Sequence, residues 1–401
     1  MAASDSRQLP LTGLKVLELG QLIAGPFATK LLGEFGADVI KIEPPGTGDP
    51  LRKWRKIEDG TSLWWHVQTR NKRSVALDLR SADGQALVRR LAAEADVVVE
   101  NFRPGTLDNW ELGWETLSAL NPRLIMVHIS GYGQTGPYRD KPGFGVIGEA
   151  MGGLRYLTGQ PGEPSVRVGV SIGDSLSALY AVIGTLLALQ ERNRSGLGQE
   201  IDVALYESVF AMMESLLPEY DASGEIREPS GSALPGITPS NAYRCQGGDY
   251  VLIAGNGDSI FKRLMEVIGR PEIADDPNLA HNDGRSRQAE MIDAAIQAWT
   301  QERPRDEILT ALDAARVPAG YPYTAADIAN DPHYAAREML QTIQRPNGKP
   351  LKVPGVLPKL SATPGRLGEG GAELGKHTDE VLDELGIDQA TRDKLRQAGI
   401  I

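Results

Sequence analysis

The sequence predicts an α/β protein with a large domain built on a parallel sheet and a second, smaller domain. Three observations predict it. Short β-rich runs alternate with helical patterns through the first half of the 401-residue chain. Two of these runs, LIMVHIS (124–130) and DVVVENF (96–102), are mostly apolar, which is typical of strands covered by helices on both faces. A stretch rich in Gly, Ser, Pro and Glu (221–239) then separates this half from a second set of strands and helices.

The elements of the first half follow one another regularly. Strands are predicted over five runs: 14–19, 37–43, 74–79, 96–102 and 124–130. Apolar residues recur at helical spacing in three segments between them: 27–36, 82–95 and 114–120. A long helix is predicted from Ser175 to Gln190, and residues 200–217 start as a strand and continue as a helix. This alternation predicts a doubly wound sheet.

The rest of the chain is divided by composition. Residues 1–220 form the first part of the large domain, 221–239 a linker and 240–325 a small α+β domain. Residues 326–401 contain a second linker and two short helices. The segment 341–376 is rich in Pro and Gly and has little periodicity, so we expect it to wrap over another surface, such as that of a second subunit.

Composition narrows the class of protein. The net charge of −11 argues against a general nucleic-acid binder, and no apolar run reaches the length of a membrane span. The start, MAASDSRQLP, lacks the features of a signal peptide, and the single cysteine, Cys245, fits a reducing cytoplasm. No H-E-x-x-H or C-x-x-C motif predicts a metal site.

Residues 143–148 (GFGVIG) match the G-x-G-x-x-G pattern of dinucleotide sites. In such sites the motif joins a strand directly to a helix. Here a loop, GQTGPYRDKPG (133–143), leads into it. We therefore disfavour a nucleotide-binding role for this motif.

Residues 169–173 (GVSIG) match the G-x-S-x-G motif of hydrolases. A predicted helix follows, and His333 and His377 lie later in the chain as possible bases. The residue nearest the helix start is Asp174 rather than Ser171. A Ser171-based hydrolase stays open as an alternative from another class.

Several phrases together resemble the family III CoA-transferases, also called the CaiB/BaiF family. They include LTGLKVLELGQLIAGPFATKLLGEFGADVIKIEPPGTGDPLR (11–52), ADVVVENFRPGTLDNWELGWE (95–115) and SIGDSLSALYAVIGTLLAL (171–189). They occur in order through about the first 210 residues. The resemblance implies a Rossmann-like large domain, a small domain, a C-terminal return to the large one and an interlocked homodimer. It also implies acyl-CoA and a free carboxylic acid as substrates, with no permanently bound cofactor.

The resemblance assigns roles to particular residues. Asp174 aligns with the nucleophile, whose carboxylate would carry the acyl group and then CoA. Trp54 aligns with an aromatic residue of the acyl pocket, and Gly255, Asn256 and Gly257 with a loop that covers the intermediate. The residues implied to contact CoA are Ile23, Ala24, Leu77, Asp78, Leu79, Arg80, Asn101, Phe102, Arg103, Lys141 and Phe144. Arg80 and Arg103 are the expected phosphate partners.

The sequence departs from some relatives at informative positions. Pro44 and Asn109 stand where some of them carry Arg, so the 3′-phosphate of CoA must find other cations. Phe144 and Gly145 stand where the racemase branch has a His-Asp pair, and a racemase needs two acid–base groups. Racemisation is therefore disfavoured, and a non-catalytic CoA-binding protein is a further alternative.

The phrase GFGVIGEAMGGLRYLTG (143–159) most resembles transferases that use succinyl-CoA as donor. Their acceptors are C4–C6 dicarboxylates such as citramalate, mesaconate, itaconate or glutarate. A dicarboxylate needs a cation for its distal carboxylate. The candidates are Arg52, Arg55, Arg70 and Arg73.

Overall fold

A computed structural model describes residues 8–401. The first seven residues, which belong to the segment tested for a signal peptide, lie outside the described part of the chain. The strands are β1 (Lys15–Glu18), β2 (Asp38–Glu43), β3 (Ile57–Glu58), β4 (Thr61–Ser62), β5 (Lys72–Ala76), β6 (Val97–Glu100), β7 (Ile125–Ser130), β8 (Glu200–Ala204), β9 (Ser240–Arg244), β10 (Tyr250–Ala254), β11 (Ala319–Gly320), β12 (Leu340–Gln344) and β13 (Pro350–Pro354).

The helices alternate with these strands in the first half of the chain and dominate the second. They are α1 (Ala24–Glu34), α2 (Leu63–Gln68), α3 (Ala82–Glu94), α4 (Thr106–Asn109), α5 (Trp114–Leu120), α6 (Gly145–Met151), α7 (Leu154–Leu157), α8 (Ile172–Ser195), α9 (Leu205–Phe210), α10 (Leu216–Ser223), α11 (Asp258–Val267), α12 (Pro271–Ala274), α13 (Asn282–Arg287), α14 (Ala289–Thr300), α15 (Arg305–Ala314), α16 (Ala325–Asn330), α17 (Pro332–Ala336), α18 (Thr378–Glu384) and α19 (Gln389–Gln397).

The chain forms two compact units. The first comprises residues up to Arg155 together with Val168–Ala222 and His333–Ile401, and the second comprises Tyr156–Arg167 and Ser223–Pro332. The first unit contains a six-stranded sheet in the order β5-β2-β1-β6-β7-β8, and every neighbouring pair in it is parallel. The predicted α/β fold with a large parallel sheet is confirmed.

The sheet of the first unit is covered on both faces, because successive side chains of a strand point to opposite sides. Val98 packs with residues of α3, α5, α18 and α19. Its neighbours Val97 and Val99 pack with α1 and α8 on the other face. Double coverage explains why these strands are nearly continuous apolar runs.

The order of the strands creates a crevice. Along the sheet, the strands run third, second, first, fourth, fifth and sixth in chain order, so the direction of winding reverses between β1 and β6. Loops that leave the carboxyl ends of these two strands diverge, and open α/β sheets bind ligands at such a point. The loops after β1 and β6 are therefore the first place to look for a site.

The second unit has its own core. Strands β11, β10 and β9 form an antiparallel sheet. Val251 and Ile253 of β10 pack with Phe261 and Leu264 of α11 and with Ile296 of α14. The unit therefore combines an antiparallel sheet with helices, and it includes residues 223–239, which the sequence analysis assigned to a linker.

Two segments differ from the predictions. Strand β5 covers residues 72–76 rather than 74–79, because its pairing with β2 ends at Ala76 and the chain turns at residues 79–80. The segment 341–376 was expected to be irregular. It begins instead with residues of the β12–β13 hairpin.

Candidate active site

Asp174 lies in the first turn of α8, three residues further into the helix than the sequence predicted. The helix runs over 24 residues, and its N-cap, Ser171, makes no side-chain capping bond. The N-terminus of a helix carries partial positive charge and unpaired N–H groups, which favour an ionised carboxylate nearby. The position suits a carboxylate that must stay charged and take part in chemistry.

The side chain of Asp174 packs against the backbone of Gly145, the first residue of α6. A Cβ atom built on Gly145 would lie 2.1 Å from Oδ2 of Asp174, well inside any real contact distance. The absence of a side chain at residue 145 therefore creates the space that the carboxylate occupies. The neighbouring Phe144 is 66% exposed, so its ring is available to a ligand or a partner.

The glycines of the GFGVIG motif serve packing. A Cβ atom on Gly143 would lie 2.9 Å from the Cα of Gly131, and one on Gly148 would lie 2.8 Å from the Cβ of Leu205. Together with Gly145, these residues let the start of α6 approach a loop and two helices closely. The motif thus has a structural explanation that involves no dinucleotide.

Glu149, one turn after Gly145 on α6, brings a second carboxylate to the start of α8. Its side chain is 1% exposed, and its Oε1 accepts a 3.4 Å hydrogen bond from the N–H of Gly173. Glu149 was not among the residues singled out from the sequence. No local pattern in the sequence distinguishes it from an ordinary helical Glu.

A large cavity, about 960 Å³, lies at the carboxyl ends of the strands of the large sheet. Residues at or after the ends of β1, β2, β5 and β6 line it. From the predicted set these are Trp54, Leu77, Asp78, Leu79, Arg80 and Phe102. This volume lies within the range of small-molecule and cofactor sites.

The walls of this cavity combine flat apolar surface with positive charge. The ring of Phe102 meets that of Trp110 edge to face, with centroids 5.4 Å apart. Arg80 and Lys53 are exposed and line the same space. Trp110 was missed from the sequence, although it lies within the phrase 95–115 that supports the resemblance.

The other predicted CoA contacts do not line this cavity. Ile23 and Ala24 are buried at the start of α1. Asn101 bonds the backbone of Gln21 through both atoms of its amide. Lys141 is exposed, with its ammonium 3.5 Å from the centroid of the Tyr138 ring.

Arg103 is exposed and lines a second, smaller cavity of about 160 Å³ together with His128. Nδ1 of His128 lies 2.6 Å from Glu100 and its Nε2 lies 3.0 Å from Glu200. Burial lowers the pKa of His128, but Glu100, Glu200 and Asp202 outweigh it and raise that pKa. The other oxygen of Glu100 accepts a hydrogen bond from the N–H of Phe102, so this cluster also holds the loop after β6.

The four arginines considered for a distal carboxylate differ in their partners. Three of them form ion pairs with carboxylates: Arg52 with Glu43, Arg70 with Glu34, and Arg73 with Asp38, Glu380 and Glu384. Arg55 lies over the ring of Trp64, 4.8 Å from its centroid. Within residues 8–401, no carboxylate lies at ion-pair distance from Arg55.

The context required for a serine nucleophile is missing. A nucleophile elbow follows a strand directly, whereas residues 158–171 contain no strand. His377 accepts a hydrogen bond at Nδ1 from the N–H of Ser74 at β5, and burial lowers its pKa. Ser171 therefore has neither the elbow geometry nor His377 as its base.

The loop Gly255–Gly257 joins β10 to α11 in the second unit, and it is held in place. The N–H of Gly255 donates to the carbonyl of Pro239 at 2.9 Å, and the carbonyl of Asn256 accepts from Arg285 at 2.6 Å. Gly255 packs so closely on Leu264 that a Cβ atom would lie 2.6 Å from a methyl group.

Two further findings concern metals and membranes. In the described part of the chain, no group of three or more His, Cys, Asp or Glu side chains could hold a metal ion. Among the same residues, α8 alone has the length and apolar composition of a membrane span. Its residues Ala178, Ala181 and Ala188 are buried beside the sheet, so one face of α8 packs in the core of the first unit.

Comparisons with known proteins all match the same family of enzymes. A family model described as CoA-transferase family III matches residues 11–378. The chain is 50% identical over 377 residues to a succinyl-CoA–D-citramalate CoA-transferase of Chloroflexus aurantiacus, covering 94% of each. It is 42% identical over 387 residues to the alpha subunit of a succinyl-CoA–L-malate CoA-transferase of that organism, covering 95% of this chain and 90% of the other. A crystal structure of a CaiB/BaiF family protein from Brucella suis superposes with a TM-score of 0.83 at 37% identity, covering 94% of this chain and 100% of that one.

Proposed function

Because the chain belongs to CoA-transferase family III and is a CoA-transferase, we propose that it moves CoA from succinyl-CoA to a C4–C6 dicarboxylic acid, with Asp174 as the nucleophile. The observation that carries the proposal is the carboxylate of Asp174 in the first turn of α8, seated in the space left by Gly145. The relatives named for D-citramalate and L-malate make these the first acceptors to test, and mesaconate, itaconate and glutarate follow.

The proposed reaction exchanges one thioester for another. The carboxylate of Asp174 attacks the thioester carbonyl, which gives an aspartyl–succinyl anhydride and CoA thiolate. The thiolate attacks the aspartyl carbonyl, which releases succinate and leaves CoA on Asp174 as a thioester. The acceptor carboxylate attacks this thioester, and the returning thiolate then forms the new acyl-CoA and frees Asp174. Covalent catalysis divides the exchange into steps that need no ATP.

The surroundings of Asp174 favour this chemistry over the alternatives. The start of α8 favours the ionised nucleophile, and N–H groups there can stabilise an oxyanion as it develops. Racemisation would require an acid–base group on each face of the substrate carbon, and Phe144 and Gly145 supply none. A hydrolase would require the serine context that residues 158–171 do not supply.

We place CoA in the 960 Å³ cavity, with the adenine against Phe102 and Trp110 and the phosphates near Arg80. Aromatic faces bind the flat base, and the guanidinium fork matches phosphate oxygens. Arg103 would bind a phosphate only by extending out of the smaller cavity. The strand order 3-2-1-4-5-6 supports a Rossmann-like classification of this unit, with the ligand at the reversal between β1 and β6.

For the distal carboxylate of the substrate we propose Arg55, because the other three candidates already pair with carboxylates. It follows Trp54, which lines the cavity. Arg55→Ala should raise KM for the dicarboxylate acceptor and for succinyl-CoA, whose succinyl group also carries a distal carboxylate, while the affinity for free CoA stays unchanged. Arg73→Ala, which removes an arginine engaged with three carboxylates, is the matched control.

A homodimer is proposed from the surface of α8. Four of its side chains, Leu179, Ile183, Leu186 and Leu187, are between 45% and 66% exposed and share one face at helical spacing. A second copy of the chain would cover this apolar face. Light scattering should report a dimer, and Ile183→Glu with Leu187→Glu should shift it to monomer.

Two further expectations belong to the same proposal. The loop Gly255–Gly257 would exclude water from the anhydride, which hydrolyses in water. The single free and buried thiol, Cys245, fits a cytoplasmic location.

The proposal is tested by intact-mass spectrometry after incubation with succinyl-CoA. We expect a CoA-sized adduct on a peptide that contains Asp174, lost in Asp174→Ala and retained in the surface control Asp393→Ala. When a dicarboxylic acid is then added, labelled CoA from succinyl-CoA should appear in the thioester of that acid. Release of free CoA without an acceptor, abolished by Ser171→Ala, would contradict the proposal.

A further inference from the structure

The loop after β1, residues 20–23, is held through its backbone by side chains from elsewhere in the fold. We call it the β1 loop. Lys41 donates to the carbonyl of Gly20 at 2.9 Å, and Gln68 donates to the carbonyl of Ile23 at 2.9 Å. A loop normally satisfies these groups with water or with its own backbone. Here they are satisfied before any ligand binds.

Asn101 makes two hydrogen bonds to the backbone of the β1 loop. Its Oδ1 accepts a 2.7 Å hydrogen bond from the N–H of Gln21, and its Nδ2 donates at 2.8 Å to the carbonyl of the same residue. A Cβ atom on Gly20 would lie only 3.0 Å from the same Oδ1. Asn101 follows β6 and Gln21 follows β1, so the pair bridges the two loops that diverge at the crevice. Both hydrogen bonds of the amide are thus made to the protein backbone rather than directed into the cavity.

Asp49 holds Leu22, the residue after Gln21, in an unfavourable backbone conformation. Leu22 has a φ of +65°, in the left-handed region that residues other than glycine rarely adopt. Both carboxylate oxygens of Asp49 lie 3.1 Å from the N–H of Leu22. Strain of this kind persists only where the surroundings enforce it, and it gathers at ligand sites.

Asp49 is fixed in turn by buried charges. Lys41 lies 2.9 Å from Asp49 and 2.7 Å from Glu18, and all three side chains are no more than 1% exposed. Lys72 lies 2.8 Å from the other oxygen of Glu18. Burial would raise the pKa of Glu18, but Lys41 and Lys72 outweigh it and lower that pKa to about 2. Glu18 therefore stays ionised beside the two lysines. A buried charged cluster adds little to stability compared with apolar packing. Its other effect is to fix the β1 loop.

We propose that Asn101 and Asp49 are positioning residues that hold the β1 loop in its ligand-binding conformation before the CoA thioester arrives. Gln21 lines the 960 Å³ cavity, so the loop forms part of the CoA site. The inference rests on the proposed placement of CoA in that cavity. Asn101 then acts on CoA through Gln21 and not by contact. A loop that is already ordered costs the ligand less to bind.

The first test measures the loop without any ligand. Hydrogen exchange of the free protein is followed in peptides that cover residues 17–27, in wild type and in Asn101→Ala. We expect faster exchange of the β1 loop in the variant. Asn121→Ala is the matched control, because the Asn121 amide also makes two hydrogen bonds to the backbone, donating to carbonyls at 2.8 Å and 3.3 Å, but it lies before β7. Unchanged exchange of the β1 loop in Asn101→Ala would overturn the inference, whatever the outcome of any activity assay.

The second test uses the strain at Leu22. Asn101→Ala should raise KM for succinyl-CoA about tenfold with kcat within about twofold, because only a fraction of the free protein then has the binding conformation. Leu22→Gly removes the steric penalty of the left-handed conformation and should recover much of this loss in the double variant. Leu22→Ala keeps the penalty while also removing the side chain, so it should recover nothing.

Direct contact between Asn101 and CoA predicts a different pattern. The loss caused by Asn101→Ala would then be unaffected by glycine at position 22, and the two substitutions would be additive. Additivity, or equal recovery by glycine and alanine, would overturn the positioning role. A wild-type protein that binds no CoA thioester would contradict the proposed function instead, while the exchange experiment would still decide whether Asn101 holds the loop.

Discussion

Replacing Gly145 by alanine should inactivate the enzyme without unfolding it. The backbone of Gly145 has no positive φ, so alanine can adopt its conformation, and at the start of α6 alanine favours the helix. The three heavy atoms nearest to the added methyl group all belong to the carboxylate of Asp174. The substitution should therefore displace the side chain of the proposed nucleophile.

The size of the displacement follows from the structure. The new Cβ atom would lie 2.1 Å from Oδ2 of Asp174, and real contacts of this kind are not shorter than 3.0 Å, so the carboxylate must move by about 0.9 Å. A misplacement of about 1 Å in a reacting group can cost about 100-fold in rate. We expect kcat for CoA exchange to fall about 100-fold and the midpoint of thermal unfolding to stay the same or to rise.

The assay compares two Gly→Ala variants. Gly169→Ala is the matched control, because Gly169 lies five residues before Asp174 in the irregular stretch that leads into α8, is exposed, and has no atom within 4 Å of the added Cβ. Both variants are measured for kcat, for KM of the CoA thioester and for formation of the covalent adduct. Gly145→Ala should lose adduct formation while its affinity for free CoA changes little, because the cavity proposed for the nucleotide is not lined by residue 145.

Full activity in Gly145→Ala would refute the reasoning, since the carboxylate would then tolerate a shift that the mechanism forbids. Equal losses in Gly145→Ala and Gly169→Ala would contradict the prediction as well, because the loss of activity would then not depend on the contact with Asp174. A fall in the unfolding midpoint parallel to the loss of activity would assign the effect to folding.

Three other predictions follow from the site. Ser171→Ala should leave kcat within about twofold, because Ser171 caps α8 without a side-chain hydrogen bond; a loss near 1,000-fold would revive the hydrolase. Arg80→Ala should raise KM for the CoA thioester about tenfold through loss of a charge-assisted phosphate contact, and steady-state kinetics with an unchanged KM would place the phosphates elsewhere. Because the folded-state pKa of His128 is raised above 6.5, its protonation stabilises the fold below that pH and the contribution is lost as pH rises through the folded pKa. The free energy of unfolding of His128→Gln should therefore approach that of wild type as pH rises, with His281→Gln as the exposed control, and a difference that does not depend on pH would contradict the assignment.

The parallel sheet could be predicted because its signals are local. β7 was predicted within one residue, since a strand covered on both faces must be apolar along its whole length. The same dependence on apolar residues misplaced the predicted end of β5. Leu77 is apolar and 1% exposed, but it is buried in a loop beyond the last strand pairing, and hydrophobicity alone does not distinguish the two.

The sequence indicated some residues of the candidate site and missed others. Asp174 and the residues after β5 were identified from phrases that resemble a family, and the composition of the chain alone would have left Asp174 as a helix cap. Glu149 and Trp110 were missed, because a buried Glu and a cavity-lining Trp have the same sequence patterns as ordinary helical and core residues. Nothing in the order of residues indicates which of several arginines already carries a carboxylate partner.

The alternation of strands and helices and the membership of the family could be recognised from the amino-acid order alone, because each depends on short stretches of neighbouring residues. The tertiary structure decided what those residues do. It seats Asp174 in the space left by Gly145 and pairs the amide of Asn101 with Gln21, a residue 80 positions away. The physical reason is that hydrogen bonds and steric contacts depend on the distances between atoms in different elements, and the register and packing of the whole sheet set those distances.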